Sequence, residues 1–122
     1  MTRSELTGIR ELNFSQWIRD NLPDSSLGFV VSDLDFIVSN YKTKRIMLLE
    51  IKTRNAQLKT WQQILFNNLA KWIKQGIDKD WEFLGFHTIT FQNTFFNDGN
   101  VYLDNIEITE QKLAKFLELK NT

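Results

Sequence analysis

Residues 28–53 read GFVVSDLDFIVSNYKTKRIMLLEIKT, and their composition describes two strands joined by a tight polar turn. Gly28 to Asn40 is β-branched and aromatic, as strands are. Tyr41 to Lys44 is polar enough for a four-residue loop. Arg45 to Thr53 is nearly continuously apolar in its first half, which predicts burial on both faces there. Four charges interrupt this pattern. Side chains alternate along a strand, so Asp33 and Asp35 share a face, as do Glu50 and Lys52. A four-residue loop pairs Asn40 with Arg45, which sets Asp35 opposite Glu50 and Asp33 opposite Lys52. Facing carboxylates repel, and partial burial raises the cost. One lysine offsets three carboxylates only in part, whereas a divalent cation does so better. Mg²⁺ takes oxygen ligands, here the carboxylates with the backbone carbonyl of Ile51 as an extra ligand. The plainer reading is a half-exposed hairpin face with Lys52 salt-bridged to an aspartate.

Working outward, Ser4 can cap a short helix carrying Leu6, Ile9 and Leu12. A second helix follows, with Phe14, Trp17, Ile18 and Leu22 on one face and Pro23 at its end. Together they form an N-terminal helical layer. After the hairpin comes a loop, Arg54 to Lys59, and then a change of period. Trp61, Leu65, Leu69 and Trp72, with Ile64 and Ile73 beside them, predict a helix over 60–75 that stops at Gly76. Gln62, in its first turn, can orient a water or a phosphate oxygen; Gln63 competes for that place, because helix phase alone does not separate them. Strands are expected over 82–92 and 100–109 around the turn-like Asn97-Asp98-Gly99-Asn100. Thr109 can cap a last helix bearing Leu113, Phe116 and Leu117. The order is α-α-β-β-α-β-β-α: an α+β chain, an α/β/α sandwich with a mixed central sheet flanked by helices, in a single domain over 1–122. Trp17, Trp61 and Trp72 read as core by spacing. Trp81 and the Phe95-Phe96 pair lack an evident core role and suit base stacking or a subunit contact.

Composition narrows the chemistry. The 122 residues include no Cys and one His, His87. Disulfides, thiolate catalysis, multi-histidine metal sites and most Ser-His triads are therefore excluded. No apolar run approaches the roughly 20 residues of a membrane span, and MTRSELTGIREL lacks a signal-peptide core, so a cytoplasmic protein with no membrane partner is expected. Net charge is zero, yet residues 42–79 hold nine basic side chains against Glu50 and Asp78. A basic middle suggests an anionic partner.

SDLDFIV on one strand, LLEIKTR on the next and TWQQ opening the following helix resemble the PD-(D/E)XK nuclease superfamily. The fourteen residues between Asp35 and Glu50 and the Glu-x-Lys that follows match its smaller members. EIKTRNAQLKTWQQ is similar to the VRR-NUC and Holliday-junction-resolvase branches, where a Gln follows at about ten residues. The likeness covers about residues 14–75; Leu34 stands where the family's naming proline would be. It implies a restriction-endonuclease-like core and a metal-dependent endonuclease, a hydrolase of DNA phosphodiesters using Mg²⁺ or Mn²⁺. Asp35 and Glu50 would ligate the metal, Lys52 would position or activate the attacking water, and Gln62 would support them. Asp33 stands where family members vary, and Glu11 or Glu5 would be the first-helix glutamate some members use. Lys42, Lys44 and Arg45 at the hairpin tip, with Arg54 and Lys59 in the next loop, would hold the DNA backbone. A homodimer would supply two sites for two strands or a junction. The alternative is a catalytically weak module of the same fold that binds nucleic acid or protein.

Overall fold

The computed structural model describes residues 12–120, and the chain divides into two compact units, residues 1–31 and 32–122. In the first, helix α1 (Leu12–Asn21) is the second of the two expected N-terminal helices. The Phe14 and Trp17 rings stack on it with centroids 5.8 Å apart. Both are exposed, so Trp17 is not the core residue its spacing suggested. The expected helix around Leu6 and Ile9, and with it Glu5 and Glu11, lies outside the described residues.

The second unit holds β1 (Phe36–Asn40), β2 (Arg45–Lys52), α2 (Thr60–Gly76), β3 (Glu82–Phe91), β4 (Val101–Leu103), β5 (Ile106–Ile108) and α3 (Glu110–Leu117). The five strands form one mixed sheet in sequential order. With three described helices in the chain, this is an α+β architecture. β1 and β2 pair antiparallel from Asn40↔Arg45 to Phe36↔Leu49, the register a four-residue loop requires. β1 begins at Phe36, eight residues later than Gly28. β2 ends at Lys52, so residues 28–32 have no strand opposite them to pair with.

β2 and β3 run parallel, as strands linked by a helical crossover can. Met47, Leu48, Leu49 and Glu50 are all buried, confirming a central strand covered on both sides. The ladder slips by one residue between Ile46↔Phe83 and Leu48↔Phe86. This is a bulge, and Gly85 takes it at φ +94°. The slip sets the faces of HTITF (87–91). With it, Glu50 lies beside Thr88 and Lys52 beside Thr90, while Ile89 and Phe91 face the opposite side. Without it, His87 and Ile89 would stand beside the two charges, and the threonines would enter the core.

The apolar face is closed by α3. Leu113 packs with Leu49, Ile89, Phe91 and Val101, and Phe116 and Leu117 adjoin them. Thr109 caps α3 as expected, its hydroxyl accepting from the Lys112 N–H at 3.2 Å. Phe96 also finds a core role, edge-on to Phe91 at 5.1 Å. The expected strand over 100–109 is two strands: Asp104 and Asn105 both adopt positive φ, 51° and 68°, as a two-residue hairpin turn demands.

α2 covers the other face through buried Phe66, whose ring meets Phe86 at 4.9 Å. Trp61 and Trp72 are 41% and 57% exposed, and Ile64 also faces solvent. The two tryptophans were expected in the core. The helix is apolar on more than one side, so period alone admits two phases, and Phe66 with Leu69, Ala70 and Ile73 sets the one adopted.

Residues 118–120 are tied back to the first hairpin. Asn40 Nδ2 donates to the Glu118 carbonyl at 3.1 Å, Thr43 Oγ1 to the Leu119 carbonyl at 2.6 Å and Arg45 Nη1 to the Lys120 carbonyl at 2.9 Å.

If the bulge depends on glycine, Gly85→Ala should lower unfolding stability by about 1–3 kcal/mol, the cost of a strained positive φ. Gly76→Ala, at an open position in α2, should be neutral or stabilising by up to about 1 kcal/mol. Urea midpoints of the two variants would measure the contrast.

Candidate functional site

The end of the β1–β2 ladder positions the acidic pair. Phe36 is the last paired residue, so Asp35 lies one step beyond it, level with Glu50. The Asp35 N–H donates to Glu50 Oε1 at 3.1 Å, and the Ile51 N–H donates to Asp35 Oδ2 at 2.8 Å. Each contact fixes one carboxylate oxygen by backbone. Lys52 Nζ stands 3.7 Å from Glu50 Oε2, at the outer limit of an ion pair.

Glu50 is 4% exposed. Burial pushes its carboxyl above the ordinary 4.5; the Asp35 charge raises it further, while the Asp35 N–H and the Lys52 ammonium pull it down. Upward wins, because one distant cation does not balance burial and a neighbouring carboxylate.

Asp35, Glu50 and Lys52 are therefore brought together. Asp33, expected opposite Lys52, precedes β1 and is exposed, outside the ladder that would have fixed it there. Among the described residues no three His, Cys, Asp or Glu side chains gather as a metal cluster. Two carboxylates still suit Mg²⁺, which usually keeps several waters and takes one or two protein carboxylates. In a strand the N–H and C=O of a residue point the same way, so the Ile51 carbonyl is directed with its N–H toward Asp35. Asp35 and Glu50 supply oxygen donors of the kind a hard cation takes.

Gln62 and Gln63 part company. The Gln62 side chain turns back toward the Lys59 N–H, 3.4 Å away, at the helix N-terminus. Gln63 lines a cavity of about 280 Å³ together with Lys52, Gln57, Asn67, Thr88 and Thr90. Gln63, the alternative to Gln62, is thus the glutamine on the lining that includes Lys52.

The basic residues divide also. Lys44 pairs with Asp80 at 2.6 Å, holding that carboxyl below its usual range, and Arg45 pairs with Glu82 at 3.1 Å. With Lys42 they stand at the far end of β2, about 23 Å from Lys52 at strand rise. Two of the three expected backbone-binding groups are already neutralised, and none is near the acidic pair. Arg54 and Lys59 are exposed on the β2–α2 connection, next to the cavity wall at Gln57 and Leu58.

His87 is held by both ring nitrogens, Nδ1 at 2.6 Å from Asp104 Oδ2 and Nε2 at 2.7 Å from the Leu84 carbonyl. Alternation places it on the face away from Lys52, where it meets Phe116 edge-on. Sequence reading missed the Asp104 partner and the cavity amides; the Asp-Asn dipeptide at 104–105 was the available turn signal.

No protein-family model, curated protein or solved structure matches the chain. Among the described residues, no helix is long and apolar enough to cross a membrane.

A raised Glu50 carboxyl has a defined pH signature. Above 4.5 the unfolded chain loses this proton while the folded state retains it, so the Glu50 contribution to stability falls as pH rises across that window. Glu50→Gln keeps an oxygen for the Asp35 N–H and removes the charge. It should be more stable than wild type at pH 7, with an advantage that shrinks as pH is lowered toward 4.5. Urea midpoints between pH 4 and pH 8 would check it.

Proposed function

We propose that this chain is a metal-dependent nuclease of the PD-(D/E)XK type that hydrolyses DNA phosphodiester bonds. The observation that carries the proposal is the backbone-fixed Asp35–Glu50 pair with Lys52 on the same sheet face. Two carboxylates held together at a raised glutamate pKa are an arrangement that a divalent cation relieves. The antiparallel hairpin, parallel crossover partner and intervening α2 are also what a restriction-endonuclease-like core would require.

When bound, Mg²⁺ or Mn²⁺ supplies charge neutralisation at phosphate oxygens and a lowered pKa for its water. Asp35 and Glu50 hold that charge in place. The Lys52 ammonium donates hydrogen bonds to the attacking water and to the scissile phosphate, and stabilises the extra negative charge of the pentacovalent transition state. Gln63 orients a water or a phosphate oxygen beside Lys52. Arg54 and Lys59 contact flanking phosphates, which adds affinity without sequence preference.

One observation favours the weaker reading, a module that binds nucleic acid without cutting it: Asp33 is not part of the acidic pair, leaving a sparse ligand set. A single panel separates the two readings. Wild type, Lys52→Ala and Glu50→Gln would be incubated with labelled duplex, single-stranded, four-way-junction DNA and RNA, in Mg²⁺, Mn²⁺ or EDTA. Cleavage by wild type should need metal, fall at least about 100-fold in Lys52→Ala, and vanish in Glu50→Gln. Added Mg²⁺ should raise the Tm of wild type and leave that of Glu50→Gln unchanged. Binding without cleavage would favour the module, and cleavage that persists in EDTA would refute the metal site.

A further inference from the structure

The cavity beside Lys52 is chemically unlike the acidic pair. Its lining brings Gln57, Gln63, Asn67 and Asn105 together with the hydroxyls of Thr88 and Thr90. Two charged groups border it, Lys52 and Asp104. Lys52 faces Glu50. Asp104 accepts from the Thr88 N–H through Oδ1 at 3.0 Å and meets His87 through Oδ2. The other polar groups of the lining are neutral donors and acceptors. An amide carries both kinds of group in one plane, the pattern that matches the edge of a nucleobase.

Size and walls point the same way. About 280 Å³ lies just under the roughly 300 Å³ at which small-molecule clefts begin, room for one planar ring system. Phe86 provides an aromatic wall, fixed from behind by Phe66. An adjoining hollow carries a second ring, Tyr102, between Thr90 and Asn105. The outer wall is anchored: the Asn55 N–H donates to the Phe91 carbonyl at 3.2 Å and the Arg54 N–H to the Asn93 carbonyl at 2.8 Å.

We infer that this cavity receives one unpaired nucleobase of the strand lying across Lys52. The inference rests on the nucleic-acid part of the function proposed above and adds a substrate class to it. A base inside a duplex is stacked on both sides with its pairing edge occupied, so it enters such a cavity only when unstacked. Single-stranded, flapped or bulged strands then bind in preference to continuous duplex.

The test separates bases from phosphates. A short oligothymidylate and an all-abasic strand of the same length carry equal charge, and their binding to the full chain would be compared by fluorescence anisotropy in EDTA, where no strand is cut. Wild type should bind the oligothymidylate about tenfold tighter than the abasic strand. Asn67→Leu and Asn105→Gly should abolish that difference while leaving affinity for the abasic strand unchanged. The glycine keeps the left-handed backbone at position 105, so at least this variant retains the turn. Equal binding of the two strands by wild type, binding of neither, or a base preference that survives in both variants overturns the inference. Base preference without metal-dependent cleavage on the panel above would remove the nuclease reading and leave the base site standing. Cleavage without base preference would do the reverse.

Discussion

The structure turns on a carboxylate buried next to another carboxylate. Glu50 sits in the centre of the sheet at 4% exposure with Asp35 hydrogen-bonded across from it. A buried charge without a full partner is among the costliest features a small fold can hold. The surrounding geometry serves to keep it there. Met47, Leu48 and Leu49 anchor β2 from both sides, the Ile51 N–H fixes Asp35, and the bulge at Gly85 turns polar threonines toward the pair. A sequence under no constraint but stability would place an apolar residue at position 50.

Much of this was legible beforehand because it depends on local rules. A four-residue loop and the two-residue period of strands set the hairpin register, and both Asp35 opposite Glu50 and the Lys52 face follow from them. The Thr109 cap was equally readable, since its partner is three residues away. What failed depends on tertiary partners. β1 starts at Phe36 although β2 runs on to Lys52, so neither the local pattern nor the length of β2 foretells the place of Asp33. The choice between Gln62 and Gln63 is set by which side of α2 meets Phe86, and Trp61 and Trp72 were misread for the same reason. Gly85 inside a strand pattern was a visible sign of a bulge, but its effect on the faces of residues 87–91 needs the neighbouring strand.

The charge distribution shows the same limit in another form. Nine basic residues over 42–79 read as one patch along the chain. In space the patch breaks up. Lys44 and Arg45 are spent on Asp80 and Glu82, pairs that close the base of the parallel β2–β3 ladder. Arg54 and Lys59 bring positive charge to the edge of the site. Net charge along a sequence therefore overstated the cationic surface on offer.

The three hydrogen bonds from the first hairpin to residues 118–120 reach across 75 to 78 positions of sequence. Contacts of that span close long loops, and loop-closure entropy delays them until the intervening chain is ordered. The β1–β2 hairpin can form early, being local, but it is clamped only after α2, the β3–β5 strands and α3 have docked. The long-range bonds thus secure the turn end of the hairpin, the end away from the Asp35–Glu50 pair.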